Sequence, residues 1–168
     1  NTKLSERQSV TDADPSYSSL VYAGDKRFGA STGIGFPVGS TFKLFTLVNW
    51  LENGRSVNES INARNRMFTQ HCGDTYFTQT ERVGNFGGGQ GGNGTPMSFT
   101  ATSLNSGYMA MAEQLDICEI GETAAKMGAT LGDTGATPTM NGSFSVLGSH
   151  NISPIAMAGA YATVANGG

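Results

Sequence analysis

The sequence predicts a mainly α-helical fold, on three observations. Apolar residues recur at helical spacing in several windows. Gly or Pro punctuates those windows, and no run alternates apolar and polar residues for long enough to make a useful strand. A chain of 168 residues suffices for one domain with a real core.

Residues 1–39 are polar and turn-rich (Asp14-Pro15, Ser18-Ser19, Gly24-Asp25, Gly33) and read as an extended surface approach. Residues 40–54 form the first helix, from Ser40 to about Asn53. Leu44, Leu47, Val48 and Leu51 make its expected buried stripe, and Gly54 a left-handed cap. Residues 55–94 carry many Asn, Gly, Arg and Thr and read as a long, mostly irregular connection. A loop of that length is uncommon in a compact domain and points to function or to short further elements.

Residues 95–168 read as a helical lobe. Pro96 and Ser98 open a short helix that stops near Ser103. Asn105 to Asp116 follows, with Tyr108, Met111, Ala112 and Leu115 on one face. Glu119 to Met127 comes next, with Ile120, Ala124 and Met127 inward and Gly128 as the stop. Ser153-Pro154 is an N-cap followed by proline at the first helical position. That last helix runs to about Asn166, with Met157, Ala160, Tyr161 and Val164 inward.

Charged residues make up 14% of the chain, low against a typical ~25%. The formal net charge is −3, so composition gives no reason to expect electrostatic binding to nucleic acid or to an anionic membrane. No stretch approaches the ~18 consecutive apolar residues of a membrane span. The chain has neither a secretory leader pattern nor an initiating Met, and reads as a processed or excerpted piece. Cys72 and Cys118 lack metal-ligand spacing, and the two histidines do not complete such a pattern. A bridge in an oxidising compartment and two small buried thiols in a reducing one both fit them.

Ser40-Thr41-Phe42-Lys43 is the most informative segment. It sets a hydroxyl and an amine one turn apart at the start of the first helix, after Gly39. Serine is a poor nucleophile without a base within reach, and lysine is a base only when neutral. Burial can depress a lysine pKa, and the positive end of a helix dipole disfavours the charged amine while favouring an oxyanion. A bare S-x-x-K also arises by chance as a helix cap and a wet lysine. The flanking glycine, the apolar stripe and the lack of a second S-x-x-K favour catalysis.

A Ser-x-Asn on a neighbouring helix junction could relay protons and hold substrate. The chain has four: Ser56-Val57-Asn58, Ser60-Ile61-Asn62, Ser103-Leu104-Asn105 and Ser149-His150-Asn151. Only the third lies between two helical patterns, where it could project rigidly across a cleft, so Ser103 and Asn105 are preferred. Gly87-Gly88-Gly89-Gln90-Gly91-Gly92 formally matches the dinucleotide fingerprint, but no strand precedes it and no helix opens from it, so it reads as a mobile loop. His71 and His150 have no G-x-S-x-G nucleophile to serve and read as loop residues.

With these residues in hand, the chain resembles the transpeptidase domain of a bifunctional (class A) penicillin-binding protein. S-x-x-K with Ser-x-Asn and Lys-Thr-Gly partners marks that superfamily. The resemblance runs through Gly29-Ala30-Ser31-Thr32-Gly33 to Ser40-Thr41-Phe42-Lys43, then Gly94-Thr95-Pro96-Met97 to Ser103-Leu104-Asn105-Ser106. It continues through Leu147-Gly148-Ser149 and Ile152-Ser153-Pro154 to Ala165-Asn166-Gly167-Gly168.

It implies that residues 1–168 are a partial transpeptidase domain: the helical part of an α/β serine β-lactamase or D,D-transpeptidase-like fold, lacking most of its antiparallel sheet. It also implies Ser40 as nucleophile, Lys43 as base, Ser103 as proton relay and Asn105 as substrate-binding residue. Peptidoglycan stem peptides and β-lactams are the implied partners, with no metal and no organic cofactor. The implied location is the outer face of the bacterial cytoplasmic membrane, with an N-terminal anchor (and a glycosyltransferase domain) outside these residues.

The third motif, Lys-Thr/Ser-Gly, is absent: the lysines are Lys3, Lys26, Lys43 and Lys126, none followed by Thr-Gly or Ser-Gly. The resemblance therefore implies an inactive isolated segment within an active parent. Alternative readings are a β-lactam-sensing domain, a serine β-lactamase and a non-catalytic cell-wall binding module. No Glu-x-x-x-Asn follows Ser103, which counts against the lactamase.

Overall fold

The computed structural model describes residues 34–142 and 144–168, together with 3–4, 13–14 and 16–18. The Gly24-Asp25 and Gly33 turns, and the matching run at 29–33, lie outside the described residues. Strands β1 (Lys3–Leu4) and β2 (Tyr17–Ser18) pair in parallel, and β3 (Phe36–Pro37) leads into a 3-10 turn, Gly39–Phe42. Helix α1 spans Lys43–Glu52.

Residues 55–94 hold β4 (Ile61–Asn62), β5 (Thr69–Cys72), β6 (Thr75–Thr78) and β7 (Asn93–Gly94). Then come α2 (Pro96–Thr102), α3 (Asn105–Ala112), α4 (Ile117–Lys126), β8 (Asn151–Ile152) and α5 (Pro154–Ala165).

Helix α3 is the centre of the fold. Every residue from Ser106 to Ala112 is buried, because Gly-Tyr-Met-Ala-Met-Ala has no polar face to show to water. Around it pack α1, α2, β4 and the 3-10 turn Ser145–Leu147. Gly107 lets α2 approach: a β-carbon there would run into the Phe99 ring. The N-terminus of α2 is closed by a capping box between Thr95 and Ser98, with Pro96 in the first turn. Ser153 caps α5 by accepting from the Ala156 N–H.

Three expectations need correction. The buried face of α1 and its preceding turn is Phe42, Phe45, Thr46, Asn49 and Trp50, not the aliphatic stripe, and Leu51 is 48% exposed. Aromatic rings remove more apolar area from water than leucines, so Phe42, Phe45 and Trp50 set the rotation of the helix. Phe42 and Phe45 meet edge to face with centroids 5.0 Å apart, and the Trp50 Nε1–H donates to the Ser56 carbonyl at 3.0 Å. In α5, Ala156, Met157 and Ala160 turn inward, whereas Tyr161 and Val164 are exposed.

Third, His71 is not a loop residue: residues 55–94, a mostly irregular connection, hold two pairs of short strands. Strands β5 and β6 form an antiparallel hairpin across Gly73-Asp74, with Gly73 at φ +55°, and β4 pairs antiparallel with β7. His71 therefore lies on a strand. The glycine-rich run is tied in by its backbone, Ala63 N–H donating to Gly92 and Asn65 N–H to Gln90.

The hairpin is fastened to α4 twice. Cys72 and Cys118 are joined by a disulfide, with Cα atoms 5.1 Å apart. The Asp116 carboxylate accepts from the Cys118 N–H at the start of α4 and from the Gly73 N–H in the turn, both at 2.8 Å.

Candidate active site

Ser40 sits on the exposed 3-10 turn just before α1. Strand β3 pairs antiparallel with β8. Beyond that pairing, the Val38 N–H donates to the His150 carbonyl at 3.0 Å and the Gly39 N–H to the Gly148 carbonyl at 2.9 Å. Gly148 has φ +91°, and a β-carbon there would land on the backbone of Gly39. Only glycine permits this approach, and it holds the turn that carries Ser40. His150 supports it from below, its ring 4.9 Å from that of Phe42 and its Nε2 2.9 Å from the Thr139 carbonyl.

Lys43, one turn on, is only 3% exposed. Its Nζ donates to the Ser103 carbonyl at 2.8 Å, to Ser103 Oγ at 3.0 Å and to Asn105 Oδ1 at 2.6 Å. The Tyr108 ring lies beneath, its centroid 5.3 Å from Nζ. Burial lowers the Lys43 pKa from 10.5 to about 8. Among the described residues no carboxylate lines the surrounding cavities to oppose that shift. The amine is thus fully hydrogen-bonded as an ammonium and within reach of neutrality near physiological pH.

Ser103 is the non-glycine residue with positive φ among the described residues, at φ 51° and ψ 40°. It caps α2 in the left-handed conformation, and the Leu104 N–H closes the turn onto the Phe99 carbonyl at 2.9 Å. The chain reverses within two residues, so Ser103 and Asn105 face the same amine. A non-glycine residue there is strained by about 1–2 kcal/mol. The other three Ser-x-Asn segments lie after α1, on β4 and on β8, and none bonds Lys43 among the described residues.

Two cavities meet at Ser40. One, about 190 Å³, is lined by Ser40, Lys43, Leu44, Leu47, Thr100, Ser103, Tyr108 and Tyr161. The other, about 620 Å³, is lined by Ser40, Gly84, Asn85, Phe86, Thr102, Ser103 and Asn105. Ser40 and Lys43 therefore share a cavity wall, although among the described residues no hydrogen bond joins them and none engages the Ser40 hydroxyl. Leu44 and Leu47, expected in the core, are half-buried against it and also line this cleft.

Sequence reasoning missed several members of the cleft. Tyr161, expected inward on its helix, reaches across to the Thr41 carbonyl at 3.1 Å. Asn85 donates to Ser106 Oγ at 3.0 Å and accepts from the Ser106 N–H at 2.9 Å, capping α3 from a distance. Asn105 Nδ2 donates to the Gly84 carbonyl at 2.6 Å, so the start of the glycine-rich run becomes a wall of the site. No local pattern announces these long-range pairings.

The profile of the penicillin-binding protein transpeptidase domain matches residues 11–168. The chain belongs to this family. The penicillin-binding protein PonA1 from Mycobacterium tuberculosis superposes with a TM-score of 0.61 at 24% identity, covering 78% of this chain and 34% of that one. Its complex with penicillin V gives 0.62 at 24% identity, with 78% and 35% covered. Penicillin-binding protein A from M. tuberculosis, as its ceftriaxone acyl-enzyme, gives 0.58 at 20% identity, with 79% and 32% covered. No curated protein sequence matches the chain significantly. The chain spans about a third of the length of these structures, and the fold is that of part of a penicillin-binding transpeptidase domain.

Proposed function

We propose that this chain carries the nucleophile side of a serine D,D-transpeptidase that cross-links peptidoglycan. The observation that supports it most is the buried Lys43 amine, held by Ser103 and Asn105 on the wall of a cavity that also exposes Ser40.

In this mechanism neutral Lys43 takes the Ser40 proton as Oγ bonds to the carbonyl carbon of the penultimate D-Ala. Among the described residues no carbonyl accepts from the Ser40 N–H, so it is available to the tetrahedral oxyanion. The proton passes through Ser103 to the departing amine, the C–N bond breaks, and terminal D-Ala leaves. An amine of a second stem peptide then attacks the acyl-enzyme carbonyl; the ester C–O bond breaks as the cross-linking amide forms, and the amine's proton returns to Ser40 Oγ. Asn105 orients the substrate amide. A β-lactam follows the same first step, its lactam C–N bond opening.

These 168 residues contain no Lys-Thr/Ser-Gly, the family's source of a second oxyanion donor and of carboxylate binding. Loss of one such donor costs ~10²–10³ in rate, so the segment alone is expected to stay unacylated. The proposed location is the outer face of the cytoplasmic membrane. The disulfide supports an oxidising compartment, and no helix among the described residues is long and apolar enough to cross a membrane.

Fluorescent penicillin labelling of the complete transpeptidase domain tests the reading. Label is expected on Ser40, lost in Ser40→Ala, with a long-lived acyl-enzyme and D-Ala released from stem peptide in the presence of an amine acceptor. Equal labelling of Ser40→Ala, or rapid hydrolysis of the adduct, would overturn it.

A further inference from the structure

Tyr108 is a buried phenol that the mechanism above does not use. It is 2% exposed and is the aromatic residue of a helix whose other buried members are Ser, Gly, Ala and Met. Its hydroxyl has a fixed partner. Thr100 Oγ1 donates its proton to the Pro96 carbonyl at 2.7 Å, so the Tyr108 O–H donates to Thr100 Oγ1, at 2.8 Å. The ring is thereby pinned between α2 and α3, with its face toward the Lys43 amine, 5.3 Å from the centroid.

Elsewhere the amine meets the Ser103 carbonyl, Ser103 Oγ and Asn105 Oδ1, three acceptors for three ammonium protons. The remaining neighbours carry no formal charge. Leu44 and Leu47 of α1, Thr100 of α2 and Tyr161 of α5 line the cavity beside it. The titratable ones, Tyr108 and Tyr161, have their pKa raised by burial and stay neutral. Among the described residues that line either cavity, no carboxylate and no second cation acts against the ring. An aliphatic side chain in its place would desolvate the amine and return nothing. The negative face of an aromatic ring attracts the cation.

We propose that Tyr108 is a positioning residue for the acyl transfer, its ring face holding the Lys43 ammonium against Ser103 and Asn105 and opposing loss of the proton. The inference rests on the acyl-transfer reading above. Burial and the ring act on the amine in opposite directions, desolvation favouring the neutral form and the ring the charged one. Desolvation is the larger, since the pKa lies below 10.5, and the ring limits how far below. That limit matters because an amine that sheds its proton too easily is a weaker base toward Ser40.

The test is the pH profile of penicillin acylation in the complete transpeptidase domain, with the charge distribution of the ring altered at nearly constant shape. The variants are Tyr108→Phe and the same position carrying monofluorinated and then trifluorinated phenylalanine, since fluorine withdraws electron density from the ring face. Tyr108→Phe should keep the midpoint of the unsubstituted domain. Each step of fluorination should move the midpoint to lower pH, by roughly one unit in total. A ring that only fills space would leave the midpoint in place. A midpoint that stays put across the series, moves to higher pH or is absent would overturn the role of Tyr108 while leaving acylation at Ser40 intact. Absence of acylation at every pH in the unsubstituted domain would overturn the acyl-transfer reading, and this inference with it.

Discussion

At the N-terminal end of α1 the buried Lys43 amine meets Ser103 and Asn105 beside an open cavity. Towards its C-terminal end, Asn49 donates to Thr123 Oγ1 at 3.3 Å, and Thr123 donates to Glu52 at 3.2 Å, where α1 packs on α4. Both clusters bury polar groups and satisfy them with partners from distant parts of the chain. Neither cavity at Ser40 reaches the second cluster. Only the first contains an amine whose protonation burial has shifted. Buried polarity alone thus marks architecture. Buried polarity with a displaced pKa, beside a void that a serine hydroxyl lines, marks a candidate for chemistry.

Substitutions at the two ends of α1 should separate rate from stability. The largest effect is expected from Lys43→Met, which should slow penicillin acylation of the complete domain by ~10²–10⁴, the usual worth of a positioned base. In the unsubstituted domain the acylation rate should rise with pH and level off above about 8 as the amine loses its proton. A flat profile from pH 6 to about 9 would remove Lys43 from the base role. Stability carries the same signature. The folded chain binds fewer protons than the unfolded one between about 8 and the ordinary 10.5. Burial of the charge therefore costs stability in full below pH 8, and the cost is relieved as pH rises through that window. Denaturant midpoints of wild type and Lys43→Met should accordingly converge or cross on going alkaline.

Next in size is the paired Cys72→Ser and Cys118→Ser change. The bridge spans 46 positions, and its loss should cost about 4 kcal/mol in the chain-entropy model. Because it secures the hairpin to α4, the acylation rate of the folded fraction should change little. A large drop in rate would show that the far side of α1 does communicate with the cleft.

Gly148→Ala should destabilise by about 2–3 kcal/mol through backbone strain and collision with Gly39. It should also slow acylation, since the displaced turn carries Ser40. Smallest is Thr123→Val, expected to lower stability by about 1 kcal/mol with acylation unaltered. An acylation defect there would erase the distinction between the two clusters.

Much of the helical frame was legible in the sequence because its boundaries are local. Thr95-Pro96, Ser153-Pro154 and Gly54 each act within a turn of their own position. The hairpin was legible in principle: Gly73-Asp74 between Thr- and aromatic-rich runs is a two-residue turn signal, obscured by strands of four residues each. The inward face of α1 was misread because aliphatic spacing outweighed ring size. Ser103 and Asn105 were picked from four equivalent tripeptides by their place between helices, and the geometry brings that pair to Lys43. Tyr161, Asn85 and Phe86 stayed invisible because they belong to the cleft through pairings between distant segments, which no window of sequence contains.

The fastening of the Ser40 turn by Gly148 and His150 has a consequence for biosynthesis. Ser40 is translated about a hundred residues before Gly148, so the backbone that shapes its surroundings leaves the ribosome after it. A nascent chain ending before Gly148 holds the S-x-x-K tetrapeptide without the scaffold that orients it. The turn that carries Ser40 is therefore fastened only once Gly148 and His150 have been made.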